Sequence, residues 1–333
     1  MLLAMLGGLT PTPVAHVIGH WPLLQPYGGM IFPGSLLAFL SLSAIHDRVA
    51  YGRVVLSSLL LERFVSVDAK PHTSPTPIPP AFGEFDLLHE TACHPLIADL
   101  LQRAMGDDYP VDVDPSSSCT RSLLAHILEM LGLSPGDLLV DLGCGRGGPG
   151  LWLARETRAR LVGLDFSPKG IALAMRTAER FALQTPAQFR VASFDATGLP
   201  DASADGAVSV DALPFAPDRD AALRELRRVL RPGARAVFTA ATPADDQPPG
   251  PGGTGAWPDR VAGAGLELDH DEPRPDVPSF WLRLYRLWEE HEVSLRTELG
   301  DRATDNMLAE AREVAPKLAT LHFRAFTVRR PKG

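Results

Sequence analysis

Short apolar runs alternate with stretches of helical periodicity through most of this 333-residue chain. The runs Leu138 to Leu142 and Leu161 to Leu164 have the length and composition of strands buried on both faces. FRVASFDATGLP carries a third run, ADGAVSVDALPF (204–215) a fourth, and the end of ELRRVLRPGARAVFTA (225–240) a fifth. LELDH (266–270) and HFRAFTV (322–328) add a sixth and a last. Between them, Ile171, Ala174, Met175 and Ala178 share one helix face, as do Ala222, Leu223, Leu226 and Leu230. Ser167-Pro168 starts one of these helices, Asp218 and Asp220 open the other, and Pro232-Gly233 stops it. Strand and helix in alternation predict an α/β fold with a doubly wound, mostly parallel sheet.

Upstream, HETACHPLIADLLQRAM (89–105) and SLLAHILEMLGL (122–133) read as helices, the second ended by Gly132. The turn-rich segment 107–120 between them holds Tyr109, read as a surface turn residue, with packing over the active site as the alternative. Farther on, Trp281, Tyr285 and Trp288 share a face of a helix over 278–295. That face reads first as core, and otherwise as an aromatic acceptor pocket. Residues 245–257 form a loop by composition.

Candidate chemistry concentrates where the first strand ends. LLVDLGCGRGGPGLWLA (138–154) places Asp141 before Gly143, Gly145, Gly147, Gly148 and Gly150, followed by Pro149-initiated helical pattern. Such a turn brings main chain against a ligand. Gly143, Gly145 and Gly148 alone also fit a dinucleotide-binding fingerprint. Asp165, closing the second run, suits an adenosine ribose in either case. The two ligands are separated by Asp141 and Asp195: acids repel a pyrophosphate and attract the cationic amino and sulfonium groups of S-adenosylmethionine.

With these motifs in order, the chain resembles the class I S-adenosylmethionine-dependent methyltransferases over about residues 85–330. The resemblance implies a seven-stranded Rossmann-like sheet with an antiparallel last strand and an N-terminal helical lid. It implies S-adenosylmethionine as cofactor, held by Asp141, Gly143, Gly145, Asp165, Phe166, Asp195, Ala196 and Asp211. Asp165 would be the ribose acid and Asp195 would face the adenine amino group; Asp211 stays open between ligand contact and turn residue. It implies a small-molecule methyl acceptor and no obligatory catalytic residue. An NAD(P)-dependent oxidoreductase and a non-catalytic S-adenosylmethionine-binding module are the alternatives.

Composition changes the picture mainly at the N-terminus. Net charge is −8 with dispersed basic residues, which argues against a nucleic-acid partner. Three cysteines, Cys93, Cys119 and Cys144, make neither a disulfide framework nor a zinc site, and a reducing cytoplasm is the expected compartment. Met1 to His46 contain no Asp, Glu, Lys or Arg, and prolines interrupt each apolar run. That leader makes a poor membrane span and a poor signal peptide. Residues 1–66 are therefore expected to lie outside the functional fold, as an upstream start-site assignment or a membrane-associating leader. Residues 67–84 read as a Pro-rich linker, followed by a lid (85–135), a cofactor-binding core (136–240) and a C-terminal part (258–330). No membrane partner is expected for the core.

Overall fold

A computed structural model describes residues 82–243 and 257–332. The leader, most of the linker and all but the last residue of the 245–257 loop lie outside them. Seven strands form one sheet in the order β3-β2-β1-β4-β5-β7-β6. The strands are β1 (Leu138–Leu142), β2 (Arg160–Asp165), β3 (Gln188–Val191), β4 (Ala204–Ser209), β5 (Leu230–Pro243), β6 (Glu267–Pro273) and β7 (Leu321–Arg329). The first five pair in parallel, and β7 runs antiparallel to both β5 and β6. The expected mostly parallel sheet with its reversed last strand is present. The helices are α1 (Phe82–Thr91), α2 (Pro95–Met105), α3 (Arg121–Leu131), α4 (Gly148–Thr157), α5 (Pro168–Ala178), α6 (Arg219–Val229), α7 (Trp257–Gly263), α8 (Val277–Glu290), α9 (Glu292–Leu299) and α10 (Asp301–Val314).

Pleat alternation sorts the core. Leu139, Leu161, Val208 and Val237 pack with Leu124 and Ile127 of α3 and Leu151 of α4. Val140, Val162, Ala207 and Phe238 face the other way, with Leu223 and Leu226 of α6 and Val261 of α7. Burying each such Leu or Val is worth about 1.5–3 kcal/mol, so a one-residue slip in register would exchange the two faces at large cost. Asp141 shares the α4-facing side with Leu139 because it is two residues farther along β1. The strand order reverses between β1 and β4, and the crevice beyond the carboxyl ends at such a reversal is where open α/β sheets bind ligands.

Several sequence expectations change in detail. The helix read over 89–105 is two helices. Pro95 cannot continue a helix but suits a first turn, and His94 caps α2 by accepting from Leu96 N–H at 3.3 Å. The first of the two begins at Phe82, inside the segment read as linker. The 278–295 helix is likewise α8 followed by α9, and α10 was not foreseen. Helix α6 ends at Val229, ahead of Pro232-Gly233, and Leu230, read as the last residue of its inward face, instead opens strand β5, which contains that pair; the register against β4 shifts between Ala204 and Gly206, where Gly233 takes φ +84°. Tyr109 is buried, not on the surface. It packs among α2 and α8 residues and donates to Asp114 Oδ1 at 2.8 Å. Trp281, Tyr285 and Trp288 are buried in the same cluster, the first of the two readings of that face. Among the described residues, no helix is long and apolar enough to cross a membrane.

Candidate active site

The crevice predicted by the strand reversal is a cleft lined by residues of the glycine turn, the ends of β2 and β4, and helix α1. Its floor is the glycine turn after β1. Gly143, Gly145 and Gly147 take φ of +72°, +50° and +82°, which L side chains resist. Gly143 also lacks room: a Cβ there would stand 2.4 Å from Ala212 Cβ. Gly143 and Cys144 N–H both donate to Leu164 carbonyl oxygen, at 2.8 and 3.0 Å, which ties the turn to β2. Cys144 is buried, and burial pushes its thiol well above the ordinary value, so it is a packing residue.

Two acids frame this turn. Asp141 lies under the start of α4, where its Oδ2 accepts from Gly150 N–H at 3.1 Å. Gly147, the residue before that helix, offers no side-chain cap, so the strand aspartate satisfies one of the free N–H groups at the helix start. A Cβ on Gly150 would fall 2.4 Å from the same oxygen, which explains a glycine inside the first turn. Burial pushes Asp141 up to about 7, with the charge of Asp165 adding to the rise and the Gly150 bond opposing it. Asp165 is also buried; its Oδ2 accepts from Gly145 N–H and its Oδ1 from Ser167 N–H, both at 2.8 Å. It thereby joins the glycine turn to the start of α5, where Ser167 caps the helix through Gly170 N–H at 2.9 Å.

Of the eight residues singled out from sequence, the cleft brings together Asp141, Gly143, Gly145, Asp165, Phe166 and Asp211. Asp195 and Ala196 are exposed and do not line it; Asp195 accepts from Ser193 Oγ at 2.6 Å. Their neighbours Ser193 and Phe194 line a smaller recess with Leu142, Gly143, Asp165 and Phe166. Asp211 resolves as a structural residue at the cleft wall. It takes φ +51°. Its Oδ2 accepts from Ser118 N–H at 2.7 Å and Ser118 Oγ at 2.6 Å, and its Oδ1 from Thr239 Oγ1 at 2.7 Å. Buried Arg274 stands 3.8 Å away and donates to Ser118 Oγ at 3.0 Å and to the Ser118 carbonyl. These bonds fix Asp211 between the segment before α3 and strand β5.

The residues forming the lip of the cleft lie within the 85–135 segment read as a lid but were not singled out from sequence. Phe85 of α1 packs edge-on against Phe166 (5.0 Å between centroids) and Phe215 (5.4 Å), so helix α1 crosses from the end of β2 to the segment after β4. Leu88 and His89 line the cleft from the same helix. The helical spacing of Phe85, Leu88 and His89 is the signal that would have found them. The 113–117 segment, including Ser116 and Ser117, forms another wall. Arg146 lines the cleft too, but its guanidinium is held by Asp114, at 2.6 Å to the carbonyl and 3.4 Å to the carboxylate.

Fold and site are similar to those of class I S-adenosylmethionine-dependent methyltransferase domains. Residues 140–238 match the methyltransferase domain family. The chain is 35% identical to the methyltransferase GfsG of Streptomyces halstedii over 38% of this chain and 45% of that protein. It is 32% identical to the 27-O-demethylrifamycin SV methyltransferase of Amycolatopsis mediterranei over 41% of this chain and 53% of the relative. The chain thus spans about half the length of these curated relatives. Among solved structures it is similar in fold to the [4+2]-cyclase SpnF, with a TM-score of 0.59, 22% identity, and coverage of 78% of this chain and 100% of the other.

Proposed function

We propose that this protein transfers the methyl group of S-adenosylmethionine to an apolar small-molecule acceptor. The observation carrying this reading is that two buried acids, Asp141 and Asp165, meet across one glycine turn in a cleft whose opposite lip is apolar. Bound S-adenosylmethionine supplies a methyl carbon activated by positively charged sulfur. The residues present fit that group. Asp141 and Asp165 offer negative charge to a cation, Gly143 and Gly145 let main chain approach it, and Asp165 suits the ribose hydroxyls. The recess between Phe166 and Phe194 suits the flat adenine ring, with Ser193 as its polar edge. Asp195 and Ala196 would then shape that edge from behind rather than touch the ring.

The protein's contribution to the reaction is alignment and exclusion of water. Phe85, Leu88, Val210 and Phe215 provide apolar surface for the acceptor, and Phe85 on α1 covers the entrance between Phe166 and Phe215. Displacement at an activated carbon needs no acid from the protein, and Asp211 is committed to its own network. An acceptor that attacks as a neutral nucleophile is therefore the best match.

Fold similarity to a [4+2]-cyclase makes a direct turnover test necessary. The full chain, incubated with S-adenosylmethionine labelled in its methyl group and a panel of phenols, amines and apolar alcohols, is expected to move label into at least one acceptor and to release S-adenosylhomocysteine in equal amount. Tight cofactor binding with no label transferred to any acceptor class would favour a cofactor-binding module over an enzyme.

A further inference from the structure

We propose that His89, on the helix covering the cleft, is a positioning residue for the cofactor, its Nδ1 forming a hydrogen bond with a ribose hydroxyl beside Asp165. The inference rests on the reading of the cleft as an S-adenosylmethionine site.

His89 is buried at 8% relative exposure and lines the cleft. Its Nδ1 is fully enclosed and has no hydrogen-bond partner. The imidazole sits between two glycines from different elements. A Cβ on Gly145 would stand 3.1 Å from Cε1, and one on Gly170 would stand 3.1 Å from Nε2. Gly170 is inside helix α5 at an ordinary helical φ, where glycine costs stability relative to alanine; the space it leaves is the seat of this ring. Both glycines adjoin Asp165, through Gly145 N–H on its Oδ2 and through the Ser167 turn on its Oδ1. The unpartnered nitrogen thus belongs to the neighbourhood assigned to the ribose.

The charged groups acting on His89 are Asp165, Asp86 and Arg146, and burial outweighs them in holding the imidazole below its ordinary pKa. A neutral ring with an enclosed, unbonded nitrogen is costly in the protein alone. A hydroxyl removes that cost whichever tautomer is present, because it both donates and accepts. Because Nδ1 is enclosed, formation of the bond requires the imidazole or α1 to shift toward the cleft when the ligand is bound.

The test compares S-adenosylhomocysteine with its 2′-deoxy and 3′-deoxy analogues by calorimetry on the wild-type chain and on His89→Ala and His89→Asn. Asparagine keeps a polar group near the position of Nδ1. The wild type is expected to lose roughly three- to tenfold in affinity for one deoxy analogue. His89→Ala should lose the same factor for S-adenosylhomocysteine but nothing further for that analogue, and His89→Asn should recover part of the loss. A penalty in His89→Ala that is equal for all three ligands would overturn the proposal and leave only a packing role. If the alanine variant does not fold, a deoxy-analogue penalty that is the same in the wild type and in His89→Asn has the same meaning. A wild type that binds none of the three would overturn the cofactor reading itself, a different result from uniform binding.

Discussion

Replacing Asp141 with asparagine is expected to stabilise the cofactor-free protein at pH 8 and, in the same molecule, to weaken S-adenosylmethionine binding by at least about tenfold. The two effects have opposite sign because the charge is unfavourable until a cation arrives. Burial raises this carboxyl to about 7, against an ordinary aspartate value of about 4. Between those values the folded protein holds a proton that the unfolded chain has released, so stability falls as pH rises through the window. The whole difference corresponds to about 4 kcal/mol as an upper bound. Asparagine carries no charge, and its carbonyl oxygen can still accept from Gly150 N–H. Thermal unfolding without ligand should therefore show Asp141→Asn above the wild type at pH 8, and the gap should shrink as pH falls through that window and close only below about pH 4, where the carboxyl is protonated in both folded and unfolded chains. Titration with S-adenosylmethionine at pH 8 should show the loss of affinity, together with proton release on binding to the wild type near pH 7. A variant that is less stable at pH 8 would show that the carboxylate is already compensated in the free protein.

Arg274→Met should be the most destabilising single change at the cleft wall, by about 3–5 kcal/mol. The arginine and Asp211 are buried together, and removing one partner leaves the other as an uncompensated charge. The bonds to Ser118 would go as well. Because Ser116 and Ser117 line the cleft immediately before Ser118, the same variant should also loosen the cleft wall. The measurements are chemical unfolding of Arg274→Met and of the double variant Arg274→Met/Asp211→Asn. The double variant is expected to recover part of the loss, since neither partner is then charged. If instead the double variant is less stable than the single one by the full cost of Asp211→Asn, the two residues are independent and the network is not a unit.

These two sites mark how far sequence reasoning reached. Asp141 was legible because its meaning is local: an acid at a strand end, followed by glycines that can only serve a close approach. The strands around it were legible for the same reason, since fully apolar runs such as Leu138 to Leu142 have few other uses. Asp211 was legible as a position but not as a role. Its partners Ser118 and Thr239 lie 93 and 28 residues away, and only the sheet brings them together. Asp195 shows the converse, because the chain has left β3 by then and a turn leaves the acid exposed while Ser193 and Phe194 line the recess. The break at Pro95 was readable in principle, as proline ends a helical pattern, but apolar spacing on both sides concealed it. His89 escaped notice because its seat is made of two glycines, which leave no side-chain pattern to read.

The cofactor assignment is tested most directly by calorimetric titration of the full chain with S-adenosylhomocysteine and with NAD, beside the Asp165→Asn variant. One-to-one binding of S-adenosylhomocysteine is expected, weakened at least about tenfold in a variant that still unfolds cooperatively, with no heat from NAD. A folded wild-type protein that binds NAD, or that binds neither ligand, would contradict it.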